Sequence, residues 1–258
     1  AHLGLDNAVS LRCARIQRIV VQPDKQGQGL GQWMLKQIGT QLKDRTDYLA
    51  SSYGADRPLS RFWNKAGYQS VRLSDKPSAA SGLRSALVLR ALSPAGQRLI
   101  GQATIEFSAQ FVAQLGSSLR ELDPAMVIEL CRGNKLILAA MNPAQLKAAV
   151  LFAYTGRPYE SSLTALQLLA QKSLLSDSAC ASLQEKARQL YIARVLQHQN
   201  WKRCAEIAGI SGKQACLNLL RNSTGILLEA YASGEALQAL RQQYVASRQG
   251  TSSAVVSR

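Results

Sequence analysis

Cysteine and histidine are scarce in this sequence, and their spacing argues against a fold built on metal or disulfides. The chain of 258 residues has five cysteines, none of them closely paired, and two histidines. A structural zinc site needs four such ligands at short spacing, so the sequence predicts no metal. Scattered cysteines without that pattern are typical of reduced thiols, and we therefore expect a cytoplasmic protein.

Long apolar runs are also missing. No stretch of 18 or more apolar residues occurs, so we expect no membrane-spanning helix and no membrane partner. The first residues, AHLGLDNAVSLRC, contain no basic segment followed by an apolar one, so they differ from a secretory signal.

Acidic residues are outnumbered by basic ones, 16 to 31, which gives a net charge of +15. This excess predicts a polyanionic partner, most often a nucleic acid, because neutralised phosphates release condensed counterions. Between residues 186 and 221 the one acidic residue is Glu206, while Tyr191 and Trp201 supply aromatic rings. That mixture suits RNA, and the alternative is a solvated helix surface with a buried Trp. The candidate nucleic-acid contacts are Lys186, Arg188, Arg194, Lys202, Arg203, Lys213 and Arg221.

Hydrophobic periodicity divides the chain into an α/β part followed by an all-α part. The α/β part predicts strands over 14–21, 48–53, 68–73 and 85–92, with helices over 31–42 and 59–65. From Pro94 onward we expect helices only, over 94–119, 123–131, 143–154, 162–172, 176–197, 201–208, 211–221 and 224–243. The predicted domains are therefore 1–92 and 93–246, followed by a Ser-rich disordered tail over 247–258.

A glycine-rich loop connects the first predicted strand to the first predicted helix, in the segment RIVVQPDKQGQGLG. Glycines before a helix let several backbone N–H groups approach one anion, and the helix N-terminus adds positive charge. The Walker pattern fails because no Lys-Ser or Lys-Thr follows Gly31. The dinucleotide-binding pattern fails because the glycines are spaced GxGxG. The loop therefore predicts a phosphate cradle of another kind.

The spacing Gln-x-x-Gly-x-Gly between an apolar strand and a helix resembles the pyrophosphate loop of the GNAT superfamily of N-acetyltransferases. Further along, DYLASSYGADRPLSRFWNKAGY and ASGLRSALVLRALSPAGQRL resemble the acetyltransferase module of the tRNA(Met) cytidine acetyltransferases. The segment ISGKQACLNLLR resembles part of the tail of those enzymes. The resemblance implies the second half of a GNAT-type fold followed by a helical tRNA-binding domain. It also implies a C-terminal fragment, without the first strands of the fold and without the upstream ATPase domains.

The implied reaction transfers acetyl from acetyl-coenzyme A to N4 of a cytidine in tRNA, at the wobble position of elongator tRNA(Met). ATP would be used only by the upstream domains, and we expect the fragment alone to be inactive. Gln22 replaces the His that family members often carry, which leaves the general base unassigned. Tyr53 and Tyr68 are candidate proton donors to the leaving thiolate. The implied coenzyme contacts are Ile19, Val20, Val21, Gln26, Gly27, Gln28, Gly29, Leu30, Gly31, Gln32 and Lys65.

Two other functions fit these residues. One is a GNAT-type acetyltransferase that acts on a protein or small-molecule amine and carries a helical oligomerisation domain. The other is a non-enzymatic nucleic-acid-binding module, in which CAEIAGISGKQACLNLLR forms a helix-turn-helix with its turn at residues 210–212.

Overall fold

The computed structural model describes residues 5–132, 134, 140–174, 182–231, 237–240 and 242–243. The chain divides into two compact units. The first comprises residues 1–114 and 125–137, and the second comprises residues 115–124 and 138–258. Within the described residues, no helix combines the length and the apolar character needed to cross a membrane.

The first unit contains an α/β arrangement whose elements follow the predicted order β-α-β-α-β-β. After a 3-10 turn at Asp6–Ser10 come β1 (Cys13–Ile16), α1 (Leu30–Leu42), β2 (Tyr48–Gly54), α2 (Arg57–Lys65), β3 (Gln69–Leu73), β4 (Ser85–Ala91), α3 (Pro94–Gln114) and α4 (Pro124–Cys131). Local signals set the ends of α2. Asp56 caps its start by accepting from the backbone N–H of Leu59 at 2.7 Å, and Gly67, with φ of +79°, follows its end.

The four strands form one sheet in the order β1-β2-β4-β3. β1 and β2 are parallel, whereas β4 is antiparallel to both of its neighbours. The parallel pair needs a crossover connection, and α1 lies in that connection. A β-bulge at Val71 shifts the register between β3 and β4.

Helices cover both faces of this sheet. Successive side chains of a strand point to opposite faces, so each face has its own set of buried residues. On the face covered by α1 and α2, the buried residues are Leu35, Leu49, Trp63, Tyr68 and Val88. On the face covered by α3, the buried residues are Leu5, Ala50, Val71, Leu89, Leu99, Ile100 and Ala103.

The first strand is shorter than predicted. β1 ends at Ile16, and residues 17–22 form neither helix nor strand, although the prediction extended to Val21. The β1–β2 register ends at the pair of Ile16 and Ser51, while β2 continues its pairing with β4 as far as Gly54. The β-branched run therefore continues past the point where backbone pairing stops, and Val20 is 79% exposed.

The described residues of the second unit form helices and the segments that connect them, without a strand. Its elements are α5 (Pro143–Thr155), a 3-10 turn at Glu160–Ser162, α6 (Leu163–Leu174), α7 (Glu185–Tyr191), a π-helical turn at Ile192–Leu196, α8 (Trp201–Ala208) and α9 (Gly212–Tyr231). Asn142 and Gln145 form a capping box at the start of α5, and Gly156 ends that helix in a left-handed conformation. α9 packs on α5, α7 and α8, and it buries Leu220 and Leu228.

Several predicted helix boundaries in this region are wrong. The sequence predicted separate helices over 211–221 and 224–243, but α9 is continuous from Gly212 to Tyr231. The second of these helices was predicted to begin at Thr224, next to Ser223. Both are buried, and their hydroxyls instead donate to the carbonyls four residues earlier, at 2.7 and 2.8 Å. Similarly, α3 ends at Gln114 rather than at residue 119. Part of the helix predicted over 176–197 lies outside the described residues.

The division into compact units differs from the predicted domain boundary between residues 92 and 93. α3 packs against β3 and β4, so it lies with the sheet in the first unit, as do residues 125–137. The predicted fold class, α/β followed by all-α, is confirmed. The domain ranges 1–92 and 93–246 stay predictions, and the tail over 247–258 lies outside the described residues.

Candidate functional site

A pocket of about 610 Å³ lies between the glycine loop, the start of α1 and α2. It brings together nine of the residues that the sequence analysis assigned to the coenzyme: Ile19, Val21, Gln26, Gly27, Gly29, Leu30, Gly31, Gln32 and Lys65. The other lining residues are Lys25, Pro58, Leu59, Arg61 and Phe62. Val20 and Gln28, which the sequence analysis also assigned, do not line the pocket.

Two glycines of the loop adopt a conformation that other residues rarely adopt. Gly27 and Gly29 have φ of +77° and +80°, and a Cβ at either position would meet no atom within 4 Å. Gly29 is the N-cap of α1, and it has no side chain that could accept from the first N–H groups of the helix. The first N–H groups of the helix are therefore left for another acceptor. Open backbone and an uncapped helix N-terminus fit a phosphate group.

Glutamine side chains brace the loop from within. The side-chain amide of Gln26 donates to the carbonyl of Val21 at 3.0 Å, and that of Gln28 donates to a carbonyl in the preceding 3-10 turn at 3.2 Å. The amide of Gln32 donates to the carbonyl of Phe62 at 2.7 Å, which ties α1 to α2. These amides shape the loop, so the groups left to bind an anion are backbone N–H groups and basic side chains.

Gly31 differs from the other two glycines of the loop. A Cβ at this position would lie 2.9 Å from Cε2 of Phe62, closer than unbonded carbon atoms approach. The Phe62 ring packs edge-on against Trp63, with 5.3 Å between the ring centroids. All three glycines were predicted to have one role, whereas the structure shows that Gly31 allows α1 to pack closely on α2.

Three basic side chains line the pocket. Lys25 comes from the 3-10 turn Pro23–Lys25, and Arg61 and Lys65 come from α2. The Nε atom of Arg61 lies 2.6 Å from Oε1 of the buried Glu129, so an ion pair fixes this guanidinium. The positive charge complements a pyrophosphate at the loop, and the apolar side chains of the lining suit an uncharged chain attached to it.

Tyr53 and Tyr68, the candidate proton donors, do not line this pocket. The hydroxyl of Tyr53 donates to Oγ of Ser60 at 3.0 Å, and burial raises its pKa. Tyr68 is 1% exposed, and burial raises its pKa to about 12 against a smaller opposing effect of Arg90. Both hydroxyls are protonated at neutral pH, as a donor must be, but the structure gives neither a place beside the glycine loop.

In the second unit, the side chain of Arg194 interacts with aromatic rings and a backbone carbonyl of the protein itself. Its guanidinium carbon lies 4.7 Å from the ring centroid of Tyr159 and 4.2 Å from that of Trp201. The same guanidinium donates to the carbonyl of Gln199 at 2.7 Å, and the Tyr159 hydroxyl donates to the Arg194 carbonyl at 3.1 Å. The side chain that was grouped with the RNA contacts thus holds two aromatic rings together.

Arg221 is engaged in a similar way. Its guanidinium donates to the carbonyls of Phe152, Gly156 and Arg157, which lie at and beyond the C-terminal end of α5. It also lies 4.6 Å from the Phe152 ring centroid, and burial lowers its pKa. Arg221 was predicted to contact RNA, but its guanidinium caps the C-terminal end of α5.

Most of the other residues that were predicted to contact RNA are exposed to solvent. Lys186, Lys202, Arg203 and Lys213 are exposed, and Arg188 is half-buried. Arg203 forms an ion pair with Glu206 at 3.1 Å. Four exposed basic residues on α7, α8 and α9 therefore remain for a polyanion.

Two helices and a turn present part of this charge. Asn200 caps α8 by accepting from the backbone N–H of Arg203 at 2.8 Å, and Gly209, with φ of +66°, ends the helix. Lys213 lies in the first turn of α9, with its ammonium 5.6 Å from the ring centroid of Trp201. Residues 209–211 connect α8 to α9, so Gly212, which was predicted to belong to a turn at residues 210–212, is instead the first residue of α9.

Glu129, a 1% exposed carboxylate on α4, was not predicted from the sequence. Arg57, Arg61 and Arg132 surround it, with Nε to carboxylate oxygen distances of 3.7, 2.6 and 3.6 Å. The available signal was a single acidic residue in the apolar helix PAMVIELC, because acidic side chains are almost never buried without a partner. Across the described ranges, no three His, Cys, Asp or Glu side chains group as a metal site.

Two family models match the chain. The GNAT acetyltransferase 2 model matches residues 32–93, and the tRNA-binding domain model matches residues 96–234, more than half of the chain. The first match begins just after the glycine loop and includes Gln32 and Lys65. The second match includes all seven basic residues that were predicted to contact nucleic acid. The matches confirm the predicted order of an acetyltransferase part followed by a tRNA-binding part.

Three proteins that are similar to this chain are each named tRNA(Met) cytidine acetyltransferase TmcA. The tRNA(Met) cytidine acetyltransferase TmcA of Nitrosococcus halophilus (strain Nc4) is 36% identical over 225 residues, which cover 86% of this chain and 30% of the relative. The TmcA of Vibrio cholerae is 32% identical over 228 residues, covering 88% and 30%. That of Methanopyrus kandleri is 28% identical over 222 residues, covering 84% and 26%. The chain therefore spans less than a third of the length of these relatives.

Proposed function

The chain belongs to the tRNA(Met) cytidine acetyltransferase family, and from this premise we propose that its two parts serve one reaction, acetyl transfer from acetyl-coenzyme A to a cytidine of tRNA. The acceptor in this proposal is N4 of the wobble cytidine of elongator tRNA(Met), and the compartment is the cytoplasm. Steps that use ATP are proposed to reside outside these 258 residues. The observation that carries the proposal is the glycine-loop pocket, which lies on the same chain as the tRNA-binding match.

The glycine-loop pocket is proposed to hold acetyl-coenzyme A. Backbone N–H groups from Gly27 to Gln32 would bind the pyrophosphate, and Lys25 and Lys65 would balance its charge. The apolar residues Ile19 and Leu59 would contact the pantetheine arm. When bound, the coenzyme supplies an acetyl group activated as a thioester.

The contribution of this pocket to the chemistry is positioning. The exocyclic amine of cytosine is conjugated to the ring and is a poor nucleophile, so the reaction depends on orientation and on removal of a proton. The charged side chains of the lining, Lys25, Arg61 and Lys65, are suited to holding anions. We therefore assign binding and orientation to this pocket and no general base.

The exposed basic residues of the second unit are proposed to hold the tRNA. Lys186, Lys202, Arg203 and Lys213 would contact phosphates because all four are exposed, and Arg203 would do so in exchange for its ion pair with Glu206. Arg194 and Arg221 are left out of this surface because their guanidinium groups bind carbonyls and rings of the protein.

The coenzyme proposal is tested by calorimetry with coenzyme A on the variants Gly29→Val and Gly82→Val. Both glycines have positive φ and open surroundings, so both substitutions impose similar backbone strain, but Gly82 lies outside the pocket. We expect coenzyme affinity to fall at least tenfold in Gly29→Val only. Equal affinity in the two variants would show that the loop is not the cradle.

The RNA proposal is tested with the double variant Lys202→Glu, Arg203→Glu, measured for binding to tRNA(Met) over a series of salt concentrations. The control is Lys36→Glu, Lys43→Glu, which makes the same change in charge at exposed residues of the first unit. We expect affinity at least tenfold weaker than in the control, with a salt dependence reduced by about two phosphate contacts. Unchanged tRNA affinity would favour an acetyltransferase for a protein or small-molecule amine.

A further inference from the structure

Glu129 is a buried charged side chain to which the proposed reaction gives no role. It lies on α4, is 1% exposed, and follows the buried apolar residues Met126, Val127 and Ile128. A carboxylate is rarely buried without a partner, because removing its charge from water is costly. α4 follows α3 in the chain and lies within the residues that match the tRNA-binding domain model.

Three guanidinium groups surround this carboxylate, and Arg61 makes the shortest contact. Its Nε atom donates to Oε1 of Glu129 at 2.6 Å, whereas the Nε atoms of Arg57 and Arg132 lie 3.7 and 3.6 Å from the carboxylate oxygens. Those two distances exceed the usual length of a hydrogen bond. Asn64, three residues after Arg61 on α2, donates to the backbone carbonyl of Glu129 at 2.8 Å. The backbone and the side chain of residue 129 therefore both hold α2.

Arg61 also lines the glycine-loop pocket, together with Lys25 and Lys65. All three side chains are exposed, but the ion pair with Glu129 restrains Arg61. The contact through Nε does not involve the four N–H donors of the two Nη atoms, so a phosphate can bind them while Nε stays on the carboxylate. A cation that is already held in place loses less side-chain entropy when an anion binds.

We propose that Glu129 is a positioning residue for the coenzyme. It holds the guanidinium of Arg61 at the glycine-loop pocket, where this cation binds a phosphate group of the coenzyme. The inference rests on the proposed function of that pocket and adds a residue from beyond the match to the GNAT acetyltransferase 2 model, which ends at residue 93. A helix within the tRNA-binding match thus contributes to the coenzyme site.

The direction of the change in affinity separates positioning from a simple effect of charge. Glu129→Gln nearly preserves the size of the side chain and keeps the backbone carbonyl that accepts from Asn64, but it removes a negative charge beside Arg61. If Glu129 acted through its charge alone, an anionic coenzyme would bind more tightly to this variant. If Glu129 positions Arg61, the coenzyme binds less tightly, because the guanidinium is no longer fixed.

The test measures the affinity of the 258-residue chain for coenzyme A by calorimetry, in wild type, Glu129→Gln, Arg61→Gln and the double variant. The control is Arg132→Gln, which also removes a cation beside Glu129 but does not line the glycine-loop pocket. We expect affinity about threefold to tenfold weaker in Glu129→Gln, at least as weak in Arg61→Gln, and within about twofold of wild type in the control. The double variant should bind no more weakly than Arg61→Gln, because Glu129 acts through that residue.

Urea unfolding of each variant reports its stability. If Glu129→Gln fails to fold, Arg61→Lys decides the matter, because it keeps the charge but loses the planar fork of donors, and its affinity should fall about threefold or more. Unchanged or tighter binding in Glu129→Gln, an equal further loss in the Arg61→Gln background, or full affinity in Arg61→Lys would overturn the inference. A wild-type chain that binds no coenzyme A would instead refute the proposed function of the pocket, and the inference with it.

Discussion

The ring of Phe62 lies directly against Gly31, so that a Cβ on residue 31 would come within 2.9 Å of Cε2 of the ring. The two residues belong to α2 and α1, the helices that form the walls of the glycine-loop pocket. Their contact explains the third glycine of the loop by packing between helices. The first two glycines, with positive φ and open surroundings, are explained by backbone conformation.

Replacing Gly31 by Ala is expected to lower the free energy of unfolding by about 1–2 kcal/mol, because the Phe62 ring must move against Trp63. The same movement changes a wall of the pocket, so coenzyme affinity should fall as well. Urea unfolding and calorimetry measure the two effects. In a Phe62→Leu background the shorter side chain leaves room for the new methyl group, and the loss should shrink. An equal loss in both backgrounds would contradict the packing explanation.

Arg221 is expected to be a stability residue. In Arg221→Met the carbonyls of Phe152, Gly156 and Arg157 lose their donor, which should lower the free energy of unfolding by about 2–4 kcal/mol. Arg221→Lys keeps the charge but not the planar fork of donors, so it should recover only part of that loss. Urea unfolding followed by circular dichroism measures this, with the exposed Lys202→Met as the control. Unchanged stability together with weakened tRNA binding would instead support the prediction that Arg221 contacts RNA.

The features that depend on local sequence were predictable. Alternation of apolar residues gave the order of strands and helices, and the Gln-x-x-Gly-x-Gly spacing gave a loop whose residues do line one pocket. The end of β1 was not predictable, because residues 17–21 keep a strand-like composition although the β1–β2 pairing ends at Ile16 and Ser51, while β2 continues to pair with β4 as far as Gly54. Strand pairing there is decided by tertiary structure rather than by propensity.

The roles of individual charged residues were harder to predict. A sequence shows that Arg194, Arg221 and Lys202 are basic, but not that two of them meet carbonyls and aromatic rings that come from distant segments. Glu129 is 68 residues from Arg61 in the sequence, so no local sequence pattern predicts their ion pair. The tertiary contacts were therefore needed to distinguish arginines that pack within the protein from lysines that are exposed.

Stability is expected to fall at alkaline pH because of Tyr159. Burial raises the pKa of this 4% exposed side chain to about 12, against a smaller opposing effect of Arg194, while an unfolded chain ionises near pH 10. Between about pH 10 and 12 the unfolded state holds fewer protons than the folded state. The free energy of unfolding therefore falls as pH rises, by about 1.4 kcal/mol per pH unit for one such group.

Comparison with Tyr159→Phe isolates this contribution. The variant loses the hydrogen bond to the Arg194 carbonyl at every pH, so it should be less stable at neutral pH. From pH 10 upward its stability should fall less steeply than that of the wild type. Urea unfolding at pH 8, 10 and 11 provides the measurement, and parallel pH curves for the two proteins would contradict the assignment.

Two glycines of α3 should respond in opposite ways to replacement by Ala. A Cβ on Gly96 would overlap the backbone carbonyl oxygen of Asp47, and that carbonyl is held in place by the N–H groups of Leu92 and Ser93, at 2.9 and 3.2 Å. The backbone cannot move aside without breaking these bonds, so Gly96→Ala should lose more than about 3 kcal/mol or fail to fold. Gly101 lies on the same helix, and a Cβ there would meet no atom within 4 Å. Gly101→Ala should therefore gain up to about 1 kcal/mol from helix propensity. Thermal and urea unfolding of both variants test the pair, and similar stabilities would show that α3 does not lie against the start of β2 as described.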